Sequence, residues 1–206
     1  MPEDRSMPNA ALRTLFLAIE EVMGENGTKA VLNLSGMQHY IGNYPPNDLN
    51  QDVKFSQYGL AQQAIEDFYG PRGARAILQQ IGRATFRYGL NEQPAILGVA
   101  GLALRLLPKQ TRMKLILSRL AEAATKTVNQ PTHLEEDDDA FIFVVDACPC
   151  AFRERKQTNP CCFTTVGAIQ EGLKWATGDH FQVREISCIN AGDDVCQYRV
   201  NKQPTE

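Results

Sequence analysis

The chain has 206 residues, 43% of them hydrophobic and 22% charged, with a formal net charge of -3. That is enough chain for one sizeable core or two small ones. The mildly acidic balance, with no block of Lys and Arg, argues against a nucleic-acid face; Lys109, Arg112, Lys114 and Arg119 are scattered on one predicted helix and read as a solvated surface. Residues Met1 to Asn9 carry no apolar segment of the signal-peptide kind, and the longest apolar stretch, Ala95 to Leu107, contains Arg105 and is too short to span a bilayer. A cytoplasmic protein without a membrane span is therefore expected.

Leu12, Leu15, Phe16, Ile19, Val22 and Met23 recur at the spacing of one buried helix face, and Gly24 and Gly27 are expected to end it. Ala30 to Met37 predicts another helical turn or two, followed by a loop, NYPPND. Ser56 is the expected N-cap of a helix carrying Leu60, Ala64, Ile65 and Phe68 inward. Gly70-Pro71 breaks that helix and starts the next, which carries Ala74, Ile77, Leu78 and Ile81. Pro94 and Pro108 bracket a helix apolar nearly all round, and another follows from about Gln110 to Thr127.

After Pro131 the period changes. His133 to Glu136 reads as a short strand, Glu135 to Asp139 as a solvated acidic turn, and AFIFVVD, Ala140 to Asp146, as a strand buried on both faces. A helix from Phe163 to Ala176 is closed by Gly178. His180 to Ile189 and Val195 to Val200 form a hairpin around the turn residues Asn190 to Asp194. The expected class is α+β: one domain over 1–206, with a helical part (10–130) packed on a sheet-plus-helix part (131–203).

All six cysteines lie between Cys148 and Cys196. Thiols clustered in this way, without an export signal, point to metal binding or redox chemistry. Glu185, Cys188 and Cys196 are spaced E-x2-C-x7-C on the hairpin, and Cys161 and Cys162 stand before a helix, where free N–H groups favour a thiolate. Three thiolates and a carboxylate make a closed four-coordinate set that suits structural zinc, with an iron–sulfur cluster as the alternative. Cys148, Cys150 and Cys161 remain as additional thiols, for a redox switch or for alternative ligation.

REISCINAGDDVCQYRV, Arg184 to Val200, resembles the terminal signature of the 4-vinyl-reductase domain, a hydrocarbon-binding family related to small vesicle-tethering subunits and to the sensor domains of aromatic-responsive activators. YGPRGARAILQQIGRATF (Tyr69 to Phe86) and AVLNLSGMQHYIGNYPP (Ala30 to Pro46) resemble its central segments. The resemblance implies a zinc site at Cys162, Glu185, Cys188 and Cys196, and a homodimer through the N-terminal helices. It also implies an apolar pocket between helices and sheet. Phe141, Phe143, Val166, Phe181 and Val183 are the candidate wall.

The expected function is capture of an apolar, aromatic or tetrapyrrole-like molecule by a stand-alone binding protein, with the metal bracing the pocket. The alternatives are a component of chlorophyll-type vinyl reduction and a cysteine-based redox sensor. No phosphate-binding G-x-x-x-x-G-K motif, no G-x-G-x-x-G after a strand and no catalytic constellation stands out, so a binding role is favoured over an enzyme.

Overall fold

A computed structural model of the chain describes residues 3–93 and 106–205. The apolar helix expected between Pro94 and Pro108 falls for the most part outside them. Two short strands, β1 (Ser6–Met7) and β2 (Val53–Lys54), pair antiparallel and bracket α1 (Asn9–Leu34). Two further helices follow, α2 (Phe55–Glu92) and α3 (Lys109–Lys126). The C-terminal part runs β3 (Thr132–Glu136), β4 (Ala140–Val145), α4 (Phe163–Thr177), β5 (Phe181–Ser187) and β6 (Cys196–Pro204).

The α1 stripe behaves as its spacing predicts, with Leu12, Leu15, Phe16 and Ile19 fully buried. Gly24 breaks the helical geometry at φ 72°, but the helix resumes beyond it and buries Val31 and Leu32. The piece expected as a separate turn from Ala30 is therefore the second half of α1. The same device recurs in α2, where Gly70 takes φ 68° and Pro71 restarts the helix without losing a needed N–H.

Ser56 does not cap α2. The helix begins at Phe55, the cap position is Lys54, whose N–H donates to the Gln57 side chain at 2.8 Å, and the Ser56 hydroxyl donates to Asp4. Phe68, expected inward, is exposed, while Gln62, Gln63 and Glu66 take buried positions on α2.

The main sheet has the order β3-β4-β6-β5, with every neighbouring pair antiparallel. β4 is buried along almost its whole length, as its continuous apolar run predicts. α4 packs against α2, α3 and β5, so it forms the layer between the long helix and the sheet. Its approach to α2 depends on two glycines. A Cβ on Gly82 would overlap the Thr164 carbonyl, and one on Gly167 would overlap the Gln79 carbonyl. One apolar cluster joins α1 and α2 with Met7, Met37 and Val53, and another joins the sheet, α3, α4 and the cysteines. Among the described residues, no helix is long and apolar enough to cross a membrane.

Candidate functional site

Three chain segments deliver the six thiols to one place. After β4, the chain carries Cys148 into a 3-10 turn, Pro149–Phe152, which contains Cys150. Cys161 precedes α4 and Cys162 occupies its N-cap position. Cys188 follows β5, and Cys196 opens β6 opposite Val145 of β4. Between them, Gly192 takes the left-handed conformation at φ 109° that turns the hairpin back. Asp193 closes this turn by accepting the Cys188 N–H at 2.7 Å.

All six thiols are free and buried. Their sulfur atoms are within reach of one another: Cys150 to Cys196 at 3.6 Å, Cys161 to Cys188 at 3.7 Å, Cys148 and Cys188 each to Cys162 at 3.8 Å, and Cys150 to Cys188 at 4.0 Å. The thiols do not titrate alike. Cys148 and Cys188 accept from neighbouring thiols, Cys150 foremost, and are lowered. Contact with Cys148 pushes Cys150, Cys162 and Cys196 up, and contact with Cys162 does so for Cys161.

The expected metal set, Cys162, Glu185, Cys188 and Cys196, is brought together, with one ligand atom from each lying within 4.8 Å of the others. Glu185 accepts the Cys162 N–H at 2.7 Å through Oε2, and its Oε1 is buried with no hydrogen-bond partner among the described residues. Burial, reinforced by the Cys188 thiolate, lifts this carboxyl to about 9. A second quartet meets the same criterion: Cys148, Cys150, Cys162 and Cys196. Two of the three thiols set aside as additional therefore stand beside the expected set and share two of its members.

The Cys-rich loop is anchored by a residue that the sequence reading missed. Arg153 is 2% exposed and donates to Glu66 Oε1 at 2.6 Å, Gln62 Oε1 at 2.6 Å and the Cys161 carbonyl at 3.2 Å. Asn190 adds a second brace, donating from Nδ2 to the Cys150 carbonyl at 3.0 Å. Gln62 and Glu66 lie off the predicted inward face of Leu60, Ala64, Ile65 and Phe68, so their burial carried no signal in the sequence.

A cavity of about 280 Å³ opens beside the cluster. Its walls come from α1, α2, α3, α4 and β4, with Phe86, Leu90, Leu120, Phe143 and Ile169 among them, and Cys148, Cys150 and Cys162 form one end. No Asp, Glu, Lys or Arg is among its described lining residues. Thr164 lines it too, and its hydroxyl is buried with no partner among the described residues. Burial pushes the phenol of Tyr58, another lining residue, above its ordinary value, and the Cys148 thiolate adds to the effect. Of the expected wall, Phe143 lines this cavity. Phe141 and Phe181 pack in the sheet core, and Val166 and Val183 face a separate, polar depression that also holds Arg72, Arg75 and Arg184.

No family model matches the chain, and no curated protein matches it in sequence. Solved structures do match in shape. A doubly substituted Tt H-NOX aligns over 97% of both chains with a TM-score of 0.60 at 13% identity. An unliganded Fe(II) H-NOX variant from K. algicida aligns over 97% of both chains with a TM-score of 0.59 at 10% identity. An oxygen-binding H-NOX domain related to soluble guanylate cyclases, in its oxygen complex, aligns over 93% of both chains with a TM-score of 0.54 at 14% identity.

The chain has the H-NOX fold.

This corrects two expectations. The resemblance to the 4-vinyl-reductase domain is overturned, because the structural neighbours are H-NOX domains and no family model matches. The motif that carried it is largely the turn chemistry of one short hairpin, which says little about the rest of a fold. A role in vinyl reduction loses its ground with it. The cofactor expectation, zinc or an iron–sulfur cluster, is also overturned: the H-NOX neighbours are described by heme distortion, heme redox potential and an Fe(II)NO state. Nor does the geometry isolate the single closed cage on which the zinc reading rested, because Cys162 and Cys196 belong equally to both quartets.

Proposed function

We propose that this chain is a small-molecule-binding domain of H-NOX fold whose cavity takes up an uncharged, largely apolar molecule. The observation that carries this reading is an apolar cavity that no Asp, Glu, Lys or Arg lines among the described residues, with thiols at one end and one fully buried hydroxyl, that of Thr164, without a partner among the described residues. Ligand sites are typically apolar enclosures with a few polar groups that fix orientation. At about 280 Å³ the cavity lies at the lower edge of the range for such sites, which suits a molecule smaller than the tetrapyrrole first considered. Thr164 supplies a directional hydrogen bond, and burial makes that bond count for more than it would in water.

Heme, which the neighbours' descriptions name, does not fit the described residues. A protein-bound heme iron takes an axial His, Cys, Met or Tyr. His39, His133 and His180 are all exposed and none lines the cavity; Tyr58 and Met7 do line it, but burial pushes the Tyr58 phenol up, away from the phenolate that would bind iron, and the Met7 thioether is a weak neutral donor. The thiols at its end are engaged with other thiols, and no Lys or Arg among the described lining residues meets a pair of propionates.

Isothermal titration with naphthalene, an uncharged apolar probe, tests the reading. Saturable binding at one site per chain is expected, weakened at least about tenfold by Ala168→Trp or Ala124→Trp, which fill the cavity from α4 and α3. No saturable binding, or naphthalene affinity that ignores both substitutions in folded protein, would contradict it.

A further inference from the structure

We propose that the polar depression between α2, α4 and β5 is a second ligand site, which takes a small phosphate monoester with an apolar body through Arg72, Arg75 and Arg184. It stands apart from the apolar cavity, with which it shares no described lining residue.

Hydrogen-bond partners single out these three side chains. Every other arginine among the described residues donates from its guanidinium to a side-chain or backbone oxygen. The guanidiniums of Arg72, Arg75 and Arg184 have no hydrogen-bond or ion-pair partner among the described residues, and all three line one depression of about 390 Å³. Arg72 and Arg75 come from the second half of α2, and Arg184 comes from β5. The Arg75 guanidinium lies over the Phe163 ring, 5.4 Å from its centroid, a contact that steadies the group and leaves its N–H fork free.

The acidic residues bordering the depression do not cancel this charge. Glu66 spends one oxygen on Arg153 and the other on the Gln157 side chain. Glu185 accepts the Cys162 N–H through Oε2, and burial keeps its carboxyl protonated at neutral pH. Two helical segments also start at the rim, where Pro71 reopens α2 and Phe163 opens α4. The first N–H groups of a helix lack intrahelical partners and carry partial positive charge, which adds to the field of the arginines.

Charge and lining together set the ligand class. Guanidinium forks meet carboxylate and phosphate oxygens through paired N–H groups. Three of them exceed the single charge of a carboxylate and suit a phosphate monoester, which carries about 1.5 to 2 negative charges at neutral pH. Pro71, Phe163, Val166 and Val183 supply apolar surface in the same depression, and the two valines are buried. An ester with an aromatic or aliphatic body uses that surface, and inorganic phosphate does not. The volume lies within the ordinary range for small-molecule sites.

Isothermal titration of the full chain with phenyl phosphate tests the proposal, with inorganic phosphate and benzoate as comparison probes. One saturable site per chain is expected, and phenyl phosphate should bind at least about tenfold more tightly than either comparison probe. Arg72→Gln, Arg75→Gln and Arg184→Gln should each weaken it about tenfold, the loss that a charge-assisted hydrogen bond carries. These side chains are exposed, so the substitutions leave the core intact, which circular dichroism checks. Arg119→Gln, on α3 and outside the depression, should leave the affinity unchanged. Excess naphthalene should also leave it unchanged, so the fate of the cavity reading and the fate of this one are separable. Absent phenyl phosphate binding overturns the proposal. So does binding that inorganic phosphate or benzoate matches, that Arg119→Gln weakens as much as the three depression variants do, or that naphthalene displaces.

Discussion

At the scale of the residue, the most consequential side chain is a charge in the core. Arg153 is among the largest fully buried side chains, and its ion pair with Glu66 joins positions 87 residues apart. A buried pair is costly to desolvate and costlier to break, because the survivor stays charged and unpaired. Glu66→Gln is expected to destabilise the protein by about 3–5 kcal/mol in urea unfolding, and Arg153→Met with Glu66→Leu to recover much of that loss. A Glu66→Gln variant as stable as the parent would show that the pair does not hold the loop. Glu185 makes a second prediction. Burial raises its folded pKa to about 9 from an ordinary value of 4.5, so the folded state binds the extra proton. The stability of metal-free protein should therefore fall as pH rises from about 4.5 to about 9, and Glu185→Gln should flatten that slope. A slope unchanged in the variant would remove Glu185 as its source. The thiols and Glu185 were legible because hairpin spacing is local information. Arg153 was not, because nothing near it in sequence announces a partner on a helix so far upstream.

At the scale of the element, the fit of α4 against α2 carries the site, because α4 presents Cys162 at its start and Thr164 and Ile169 along the cavity. That fit rests on Gly82 and Gly167 facing backbone carbonyls that cannot retreat as a side chain would. Gly82→Ala or Gly167→Ala should cost about 1–3 kcal/mol or more, as overpacking does. Gly73→Ala, where a Cβ meets only Tyr69 Cβ at 3.4 Å, should gain about 0.5–1 kcal/mol from helix propensity. Equal effects at the three positions in thermal melts would show that the close approach is unimportant. Periodicity predicted α1, α3, β4, α4 and the hairpin well, since each is amphipathic or continuously apolar over its length. It also placed the glycine breaks: Gly24 and Gly70 leave helical geometry and Pro71 starts the next helical segment, as expected, while beyond Gly24 the helix resumes ahead of Ala30, where the next piece was expected, and buries Val31 and Leu32. The β1–β2 pair escaped notice because strands of two residues leave no pattern.

At the scale of the whole molecule, the α+β class was readable from the switch in period after Pro131, whereas the particular fold was not. A hairpin motif of a few residues suggested one family, while the path of the chain over nearly its whole length matches the H-NOX fold. Fold similarity at 13% identity is carried by layer order and connection, which no short motif encodes. Within that fold the side chains decide the ligand, and here they surround a largely apolar space bordered by sulfur. The central claim is therefore best tested on protein purified without added ligand, by native mass spectrometry with an absorption spectrum of the same sample. The account predicts a neutral small molecule that leaves on denaturation and no Soret band, before or after incubation with hemin. A stoichiometric heme adduct with a Soret band would contradict it.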